Sequence, residues 1–220
     1  MSWQFISKNI IIILPKKFPL ELELAINTGA NTANRLRSNF LKDAVVVSSK
    51  DKDIKTKADF AAHNWITKDL SKTGIPVFSE ESEHEPFDSD KLQWIIDPID
   101  GTLNFSRGFK MAAISIALWE NGYPILGVIQ DLYHDQVFYS YKNKGSWLNN
   151  KNIKVSKVNN ISEAILATGY PSGSNHETSY INKLVNNIQN YKKIRMLGSA
   201  SLMLCYVANG NFDVYSENDI

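Results

Sequence analysis

Two aspartates, Asp97 and Asp100, stand three positions apart in the stretch WIIDPIDGTLNF. The apolar residues before Asp97 predict a buried strand, and the Gly-Thr pair after Asp100 predicts the start of a helix. Two neighbouring carboxylates at a buried strand end repel each other and are costly to desolvate. A hard divalent cation such as Mg²⁺ removes both costs, since it prefers oxygen ligands. The structural alternative is that both aspartates belong to a turn and that Asp100 caps the helix.

Further acids and a helix start favour the chemical interpretation. Glu80 follows a predicted strand at residues 76–78, and Asp59 stands at the start of a predicted helix behind Thr56. A helix beginning at Gly101-Thr102 would offer backbone N–H groups to an anion. Metal-binding carboxylates beside an anion site are typical of phosphate chemistry. The chain has no Walker loop and no kinase signature, so hydrolysis of a phosphate ester is favoured over transfer from ATP.

The composition is that of an ordinary globular protein. Of the 220 residues, 43% are hydrophobic and 21% charged, and the formal net charge is +1. This balance gives no reason to expect nucleic acid or an acidic membrane surface as a partner. The single cysteine, Cys205, suits a reducing compartment. The apolar run at residues 10–14 is too short to span a bilayer, and no targeting signal is visible, so we expect a cytoplasmic protein.

The hydrophobic pattern predicts mixed secondary structure that changes character near residue 155. Helices are predicted at residues 20–41, 58–70, 176–188 and 199–209. Strands are predicted at residues 44–47, 76–78, 92–96, 111–119, 124–131, 136–141, 164–168 and 193–197. A charged loop is predicted at residues 48–53, and a hairpin at residues 145–154. The expected domains are an N-terminal extension (1–19), an α+β metal-binding subdomain (20–155) and an incomplete α/β subdomain (156–220).

Five segments resemble the motifs of the inositol monophosphatase family, which includes 3′-phosphoadenosine-phosphate phosphatases and fructose-1,6-bisphosphatases. DPIDGTLNF is similar to the central motif of that family, SEES to its double-glutamate motif, and DIKTKADFAAHNWI to its Thr-x-x-Asp segment. Residues 126–156 resemble its mid-domain strands and glycine hairpin, and residues 195–217 its late helix and strand. The resemblance runs from about residue 20 to the end and implies a layered αβαβα sugar-phosphatase fold, α+β in its first part and α/β in its second.

The resemblance also implies roles for particular residues. It implies that two or three Mg²⁺ ions are held by oxygen atoms of Glu80, Asp97, Asp100 and the Ile99 carbonyl. Catalysis would fall to Thr102, Asp59 and Glu80, with the Thr102–Asp59 pair orienting and deprotonating a water molecule. The substrate would be held at its phosphate by the backbone of Gly101 and Thr102, and at its alcohol part by Gly198, Ser199, Ala200 and Glu217.

The implied activity is Mg²⁺-dependent hydrolysis of an inositol or sugar phosphate by a homodimer. The alternatives are a 3′-phosphoadenosine 5′-phosphate phosphatase, and a weakly active or non-catalytic relative that binds phosphoesters. In the family, a Trp-Asp-x-Ala-Ala motif follows the last matching strand and supplies one more carboxylate to the second metal. The sequence ends at Ile220, before that position. We therefore expect a truncated C-terminal α/β layer, weakened binding of the second metal and low activity.

Overall fold

The computed structural model describes residues 5–7, 10–12, 14, 18–40, 46–50, 53–81, 88–170 and 177–217. The helices in these ranges are α1 (Leu20–Asn39), α2 (Lys57–Leu70), α3 (Thr102–Ser106), α4 (Thr178–Ile188) and α5 (Ala200–Ala208). The first strands are β1 (Phe5–Ser7), β2 (Ile10–Ile12), β3 (Val46–Lys50), β4 (Asp53–Thr56), β5 (Val77–Ser79), β6 (Gln93–Asp100) and β7 (Ala113–Glu120). The later strands are β8 (Tyr123–Asp131), β9 (Val137–Tyr141), β10 (Gly145–Leu148), β11 (Lys151–Asn152), β12 (Ile165–Ala167), β13 (Lys193–Arg195) and β14 (Val214–Tyr215).

A seven-stranded sheet in the order β11-β10-β9-β8-β7-β6-β5 is the centre of the molecule. β5 pairs with β6 in parallel, and the other pairs of this sheet are antiparallel. Because side chains alternate along a strand, β7 turns Ile114 and Ile116 to one face and Ser115 to the other. The first face carries the main core with α1 and α2, whose Leu22 and Ile66 are fully buried.

The opposite face of this sheet packs against α5, which contacts β7 and β8 and also β14 of a second, parallel sheet in the order β13-β12-β14. Beyond that small sheet, Leu184 and Ile188 of α4 share a cavity with Leu166 of β12. The order of layers is therefore α1 with α2, large sheet, α5, small sheet and α4. The predicted layered fold is confirmed.

Several element boundaries differ from the sequence prediction. The predicted charged loop at residues 48–53 is wrong for residues 48–50 and 53, which belong to the antiparallel strands β3 and β4, and residues 51 and 52 lie outside the described residues. The strand predicted to end at Ile96 continues to Asp100, since Pro98 and Ile99 are accommodated in an irregularity of the β6–β7 pairing. Leu41, Ala44, Val45 and His176, which lay in predicted elements, are outside the described residues.

Candidate active site

The two aspartates of the central motif lie inside β6 at an irregularity of the pairing. Asp97 is paired with Ser115 and Asp100 with Ala113, so two residues of β6 stand opposite Ile114 alone. Three positions along a regular strand would put the two side chains on opposite faces. The extra residue in β6 shifts the alternation of side chains by one position, as a β-bulge does. Both carboxylates can therefore lie on the same face of the sheet. Asp97 also accepts a hydrogen bond from the backbone N–H of Ile99 at 3.0 Å, which fixes the turn.

Asp97 is the electrostatic centre of the site. Burial raises the pKa of its carboxyl to about 9, and the charges of Glu80 and Asp100 add to the effect, with a smaller contribution from Asp59. These four acids, predicted from separate segments, are therefore brought within range of one another. Glu80 lies just after β5, where its backbone N–H donates to the carbonyl of Ile96 at 3.3 Å. A partly buried carboxyl that repels three others is a place where a cation is strongly favoured.

Thr102 and Asp59 form the predicted pair. The Thr102 hydroxyl lies 3.0 Å from Oδ1 of Asp59 and 2.9 Å from the carbonyl oxygen of Ile99. Asp59 is 2% exposed, and its other oxygen accepts hydrogen bonds from the backbone N–H and the hydroxyl of Thr56 in a capping box at the start of α2. Burial raises the pKa of Asp59, although its hydrogen bonds with Thr56 and Thr102 oppose the shift.

A glycine is needed at position 101 because of its backbone conformation and because other backbone atoms pack closely against it. Its φ angle is +85°, in the left-handed region. A Cβ atom at this position would lie 2.8 Å from the Met111 carbonyl oxygen and 2.9 Å from that of Gly198. The start of α3 is thus pressed against the turn that precedes α5, and the two predicted substrate-binding segments meet here.

Asp100 makes contacts that the sequence did not reveal. Its carboxylate accepts hydrogen bonds from the hydroxyls of Ser199 and Ser201 and from the backbone N–H groups of Ala200 and Ser201. It therefore caps α5, a helix far away in sequence, where a negative charge is stabilising. Ser199 and Ala200, predicted to contact substrate, lie against Asp100, and Ser201 joins them.

Asn104 is a further residue that the sequence reasoning missed. Its side-chain nitrogen lies 2.9 Å from the Met111 carbonyl oxygen, 2.7 Å from that of Leu197 and 3.2 Å from that of Gly198. It fastens α3 to the turn before α5. The signal was available, since a polar amide in the middle of an otherwise apolar LNF triplet needs hydrogen-bond partners when it is not exposed.

Glu217 lies apart from the acidic cluster. Its carboxylate accepts a hydrogen bond from the Tyr215 hydroxyl and approaches Gly169 so closely that a side chain at that position would overlap it. It lines a cavity of about 380 Å³ with Thr168 and residues of α4. The charge of Asp100 contributes weakly to raising the pKa of Tyr215, so this cavity lies within electrostatic range of the central motif.

The donor chemistry of the cluster fits a hard divalent cation. The candidate ligands are oxygen atoms of Glu80, Asp97, Asp100 and the Ile99 carbonyl, and Mg²⁺ prefers oxygen. The raised pKa of Asp97 expresses the cost of leaving these charges uncompensated. In the part of the chain that the structure describes, no three acidic, His or Cys side chains converge on one point as a preformed metal cluster.

Comparison with known proteins identifies the family. Residues 21–220 match the inositol monophosphatase family, and the chain belongs to it. A Salmonella typhimurium protein named Nus factor SuhB is 33% identical over 202 residues, covering 89% of this chain and 75% of the relative. The tomato (Solanum lycopersicum) protein named inositol monophosphatase 3 is 32% identical over 209 residues, covering 89% of this chain and 76% of the relative.

Solved structures agree with this assignment. The extragenic suppressor protein SuhB from Bartonella henselae superposes with a TM-score of 0.83 at 28% identity, over 92% of this chain and 79% of that one. An IMPase from Thermotoga maritima gives a TM-score of 0.79 at 29% identity, over 92% of this chain and 78% of that one. Family membership supports phosphatase activity in general, of the Mg²⁺-dependent kind.

One expectation about partners is affected by the comparisons. The expectation that nucleic acid has no part is left without support, because relatives of this chain carry the name Nus factor. Among the helices in the described residues, none is long and apolar enough to cross a membrane.

Proposed function

We propose that this chain hydrolyses a small phosphate monoester, an inositol or sugar phosphate, in a reaction that depends on Mg²⁺. The observation that carries the proposal is the juxtaposition of the acidic cluster around Asp97 with the Thr102–Asp59 pair. The Thr102 hydroxyl is 3.0 Å from Asp59 and 2.9 Å from the Ile99 carbonyl, a proposed metal ligand. The proposed cation site would then lie beside the proposed proton-accepting pair, an arrangement that suits metal-assisted hydrolysis.

The proposed ligands are Glu80, Asp97, Asp100 and the Ile99 carbonyl, holding two or three ions. When bound, Mg²⁺ supplies Lewis-acid stabilisation of the phosphate charge that develops during the reaction. Asp97 and Glu80 fit this role most directly, because the charge of Glu80 is the main electrostatic contribution, after burial, to the raised pKa of Asp97. Asp100 can contribute a lone pair only in addition to, or in place of, its hydrogen bonds at the start of α5.

The Thr102–Asp59 pair is proposed to orient the attacking water and to accept its proton. A hydroxyl has one proton, so Thr102 donates to Asp59 or to the Ile99 carbonyl and keeps lone pairs for a water molecule. Asp59 is a better proton acceptor than an exposed aspartate, since burial raises its pKa. Glu80, exposed just after β5, completes the proposed catalytic set.

Substrate recognition is proposed to use the segments that meet at Gly101. The backbone of Gly101 and Thr102 would hold the phosphate, and the turn formed by Gly198, Ser199 and Ala200 would contact the alcohol part. Gly101 and Gly198 both have positive φ angles, +85° and +71°, and lie against each other. Glu217 would bind hydroxyl groups from the neighbouring cavity, because a carboxylate accepts hydrogen bonds from a polyol.

The test is Mg²⁺-dependent phosphate release by the purified chain. The panel is inositol 1-phosphate, fructose 1,6-bisphosphate and 3′-phosphoadenosine 5′-phosphate, the last being the alternative substrate class. Asp97→Asn should lower the rate about 100-fold or more, since it removes a charge at the centre of the site. Asp90→Asn, a change at an exposed aspartate, is the matched control. A wild-type chain that releases no phosphate from any of the three substrates would contradict the proposal.

A second candidate is a non-catalytic interaction protein that has kept the phosphatase fold. The observation favouring it is the name Nus factor among relatives that are 33% and 34% identical to this chain. It predicts that the wild type releases no phosphate and that Asp97→Asn leaves the biological role of the chain intact. Complementation of a strain lacking the gene by the Asp97→Asn form distinguishes the two candidates.

We also propose a compartment, an oligomeric state and a subdomain boundary for this chain. The chain would act in the cytoplasm as a homodimer, with a subdomain boundary near residue 155. The chain leaves the large sheet after Asn152 and enters the small sheet at Ile165, which supports a boundary in between. Sedimentation velocity at micromolar concentration checks the oligomeric state.

A further inference from the structure

A partly buried ion pair borders the acidic cluster. Nζ of Lys55, in β4, lies 2.8 Å from Oε2 of Glu81. The Glu81 side chain is only 5% exposed, and that of Lys55 is 29% exposed. An ion pair this close, with one partner nearly sealed from water, is held far more firmly than an exposed surface pair.

The position of the pair connects it to the proposed metal site. Lys55 directly precedes Thr56, which forms the capping box with Asp59, and Glu81 directly follows Glu80. The charge of Glu81 contributes to raising the pKa of Asp59, so the two carboxylates lie within electrostatic range. The pair thus stands on the Asp59 side of the cluster, beside residues that the proposed mechanism uses.

The charges explain what the pair could do there. Glu81 is a carboxylate within electrostatic range of Asp59 and next to Glu80 in the chain, and both of these acids act on Asp97. Without a cation of its own, Glu81 would add to the charge that attracts divalent ions and could itself become a ligand. The ammonium group of Lys55 compensates the charge of Glu81 in place of a divalent ion, at a distance where unit charges interact strongly.

We propose that Lys55 is a positioning residue that holds Glu81 out of the metal-binding set and so limits how many divalent ions the cluster takes up. This inference rests on the proposed function, because it assumes that the cluster binds Mg²⁺. In this proposal, the ammonium group of Lys55 takes the position next to Glu81 that a further divalent cation would otherwise fill. A purely structural ion pair would affect stability alone, so the two roles are separable.

The experiment is a Mn²⁺ titration of the full chain, followed by the electron paramagnetic resonance signal of the free ion. Lys55→Met should bind one additional Mn²⁺ per chain, or bind Mn²⁺ at least about tenfold more tightly, because it frees a carboxylate and removes a repelling charge. Lys55→Arg keeps the ion pair and should titrate like the wild type. Lys72→Met, which removes the exposed Lys72–Asp69 pair, is the matched control and should also leave the titration unchanged.

A second variant covers the case in which Lys55→Met does not fold. Glu81→Gln keeps the hydrogen-bond acceptor and removes the charge, so the ammonium group is left uncompensated, and Mn²⁺ should bind at least about threefold more weakly. Identical titrations for the wild type and the foldable variants, with only the melting temperature changed, would overturn the inference. A wild-type chain that takes up no Mn²⁺ would instead count against the proposed function.

Discussion

At the scale of single residues, the site is governed by the cost of placing carboxylates close together. Asp97 is the clearest case, because burial and the charges of Glu80 and Asp100 raise its pKa to about 9. Burial also raises the pKa of Asp59, but hydrogen bonds from Thr56 and Thr102 counteract part of that shift. The site therefore contains two different carboxyl groups. A nearby cation would stabilise the charged form of Asp97, and the raised pKa of Asp59 favours its acceptance of a proton.

The raised pKa of Asp97 predicts how the stability of the metal-free chain depends on pH. The unfolded chain loses this proton near pH 3.8, and the folded chain keeps it until about pH 9. Between these values the unfolded state binds fewer protons, so the free energy of unfolding should fall as the pH rises through this window. In the Asp97→Asn variant, the free energy of unfolding should decrease less over the same pH range. Urea unfolding of both proteins in EDTA, at about pH 5 and about pH 8, measures the decrease.

The control for this prediction is the effect of Mg²⁺. Added Mg²⁺ should restore the stability of the wild type at the higher pH, because the ion binds only the folded chain, and should do so much less for Asp97→Asn. Parallel pH profiles for the wild type and the variant would show that Asp97 is not the source of the dependence.

Thr102 gives the second prediction at this scale. Thr102→Val keeps the size of the side chain and removes the hydroxyl that lies 3.0 Å from Asp59. It should lower kcat roughly 100-fold or more with little change in KM, since general-base assistance is lost and the binding groups remain. Thr102→Ser should retain most of the activity. Steady-state kinetics with the best substrate of the panel decides, and equal rates for Thr102→Val and the wild type would exclude the proposed pair.

At the scale of elements, the site depends on close approach between short segments. The irregularity in β6 brings Asp97 and Asp100 to usable positions, and the tight contact at Gly101 seats α3 against the turn before α5. Asp100 then caps α5 through its side chain. Each of these contacts joins separate segments of the chain, so the site depends on how those segments pack.

Gly101→Ala tests the close approach. The substitution combines an unfavourable positive φ with a Cβ that would lie 2.8 Å from the Met111 carbonyl oxygen, so it should lower the free energy of unfolding by about 2 kcal/mol or more. Gly108→Ala is the matched control, because Gly108 has a φ of +68° and no neighbouring atom within 4 Å of a Cβ at that position. The difference between the two variants in urea unfolding isolates the cost of the contact, and equal losses would disprove it.

At the scale of the whole molecule, the proposed site lies where the large sheet and the layer of α5 meet. The acidic residues lie in or next to α2 and the large sheet, and Gly198 lies in the turn just before α5. Asn104 connects the two parts through three backbone carbonyls. The relative placement of the layers is therefore part of the site geometry.

Asn104→Ala should weaken this connection. The variant leaves the half-buried carbonyls of Met111 and Leu197 without their donor, so the free energy of unfolding should fall by about 1–3 kcal/mol, and activity should fall with it. Asn190→Ala, at an exposed amide that bonds only within its own segment, is the control for losing an asparagine. Urea unfolding together with the phosphate-release assay measures both effects, and a stable, fully active Asn104→Ala chain would refute the connection.

Much of this arrangement was open to prediction from local sequence. The amphipathic helices near residues 20–39 and 57–70, the antiparallel strands between residues 113 and 141, and the hairpin at residues 145–152 follow from periodicity and turn residues. The family motif pointed to Glu80, Asp97, Asp100, Asp59 and Thr102 as one site. The charged segment at residues 48–53 was predicted wrongly, because polar strands of an isolated hairpin carry no hydrophobic alternation.

The sequence by itself determined the family, and it predicted the acidic donor set and most of the order of the elements, because motifs and periodicity are local properties of the chain. Only the tertiary structure decided that Asp100 caps α5, that Asn104 ties the layers together and that Lys55 lies 2.8 Å from Glu81. These contacts join residues separated by 26 to 101 positions. Their partners are chosen by packing and by the need to satisfy charge in a confined space, which no local pattern records.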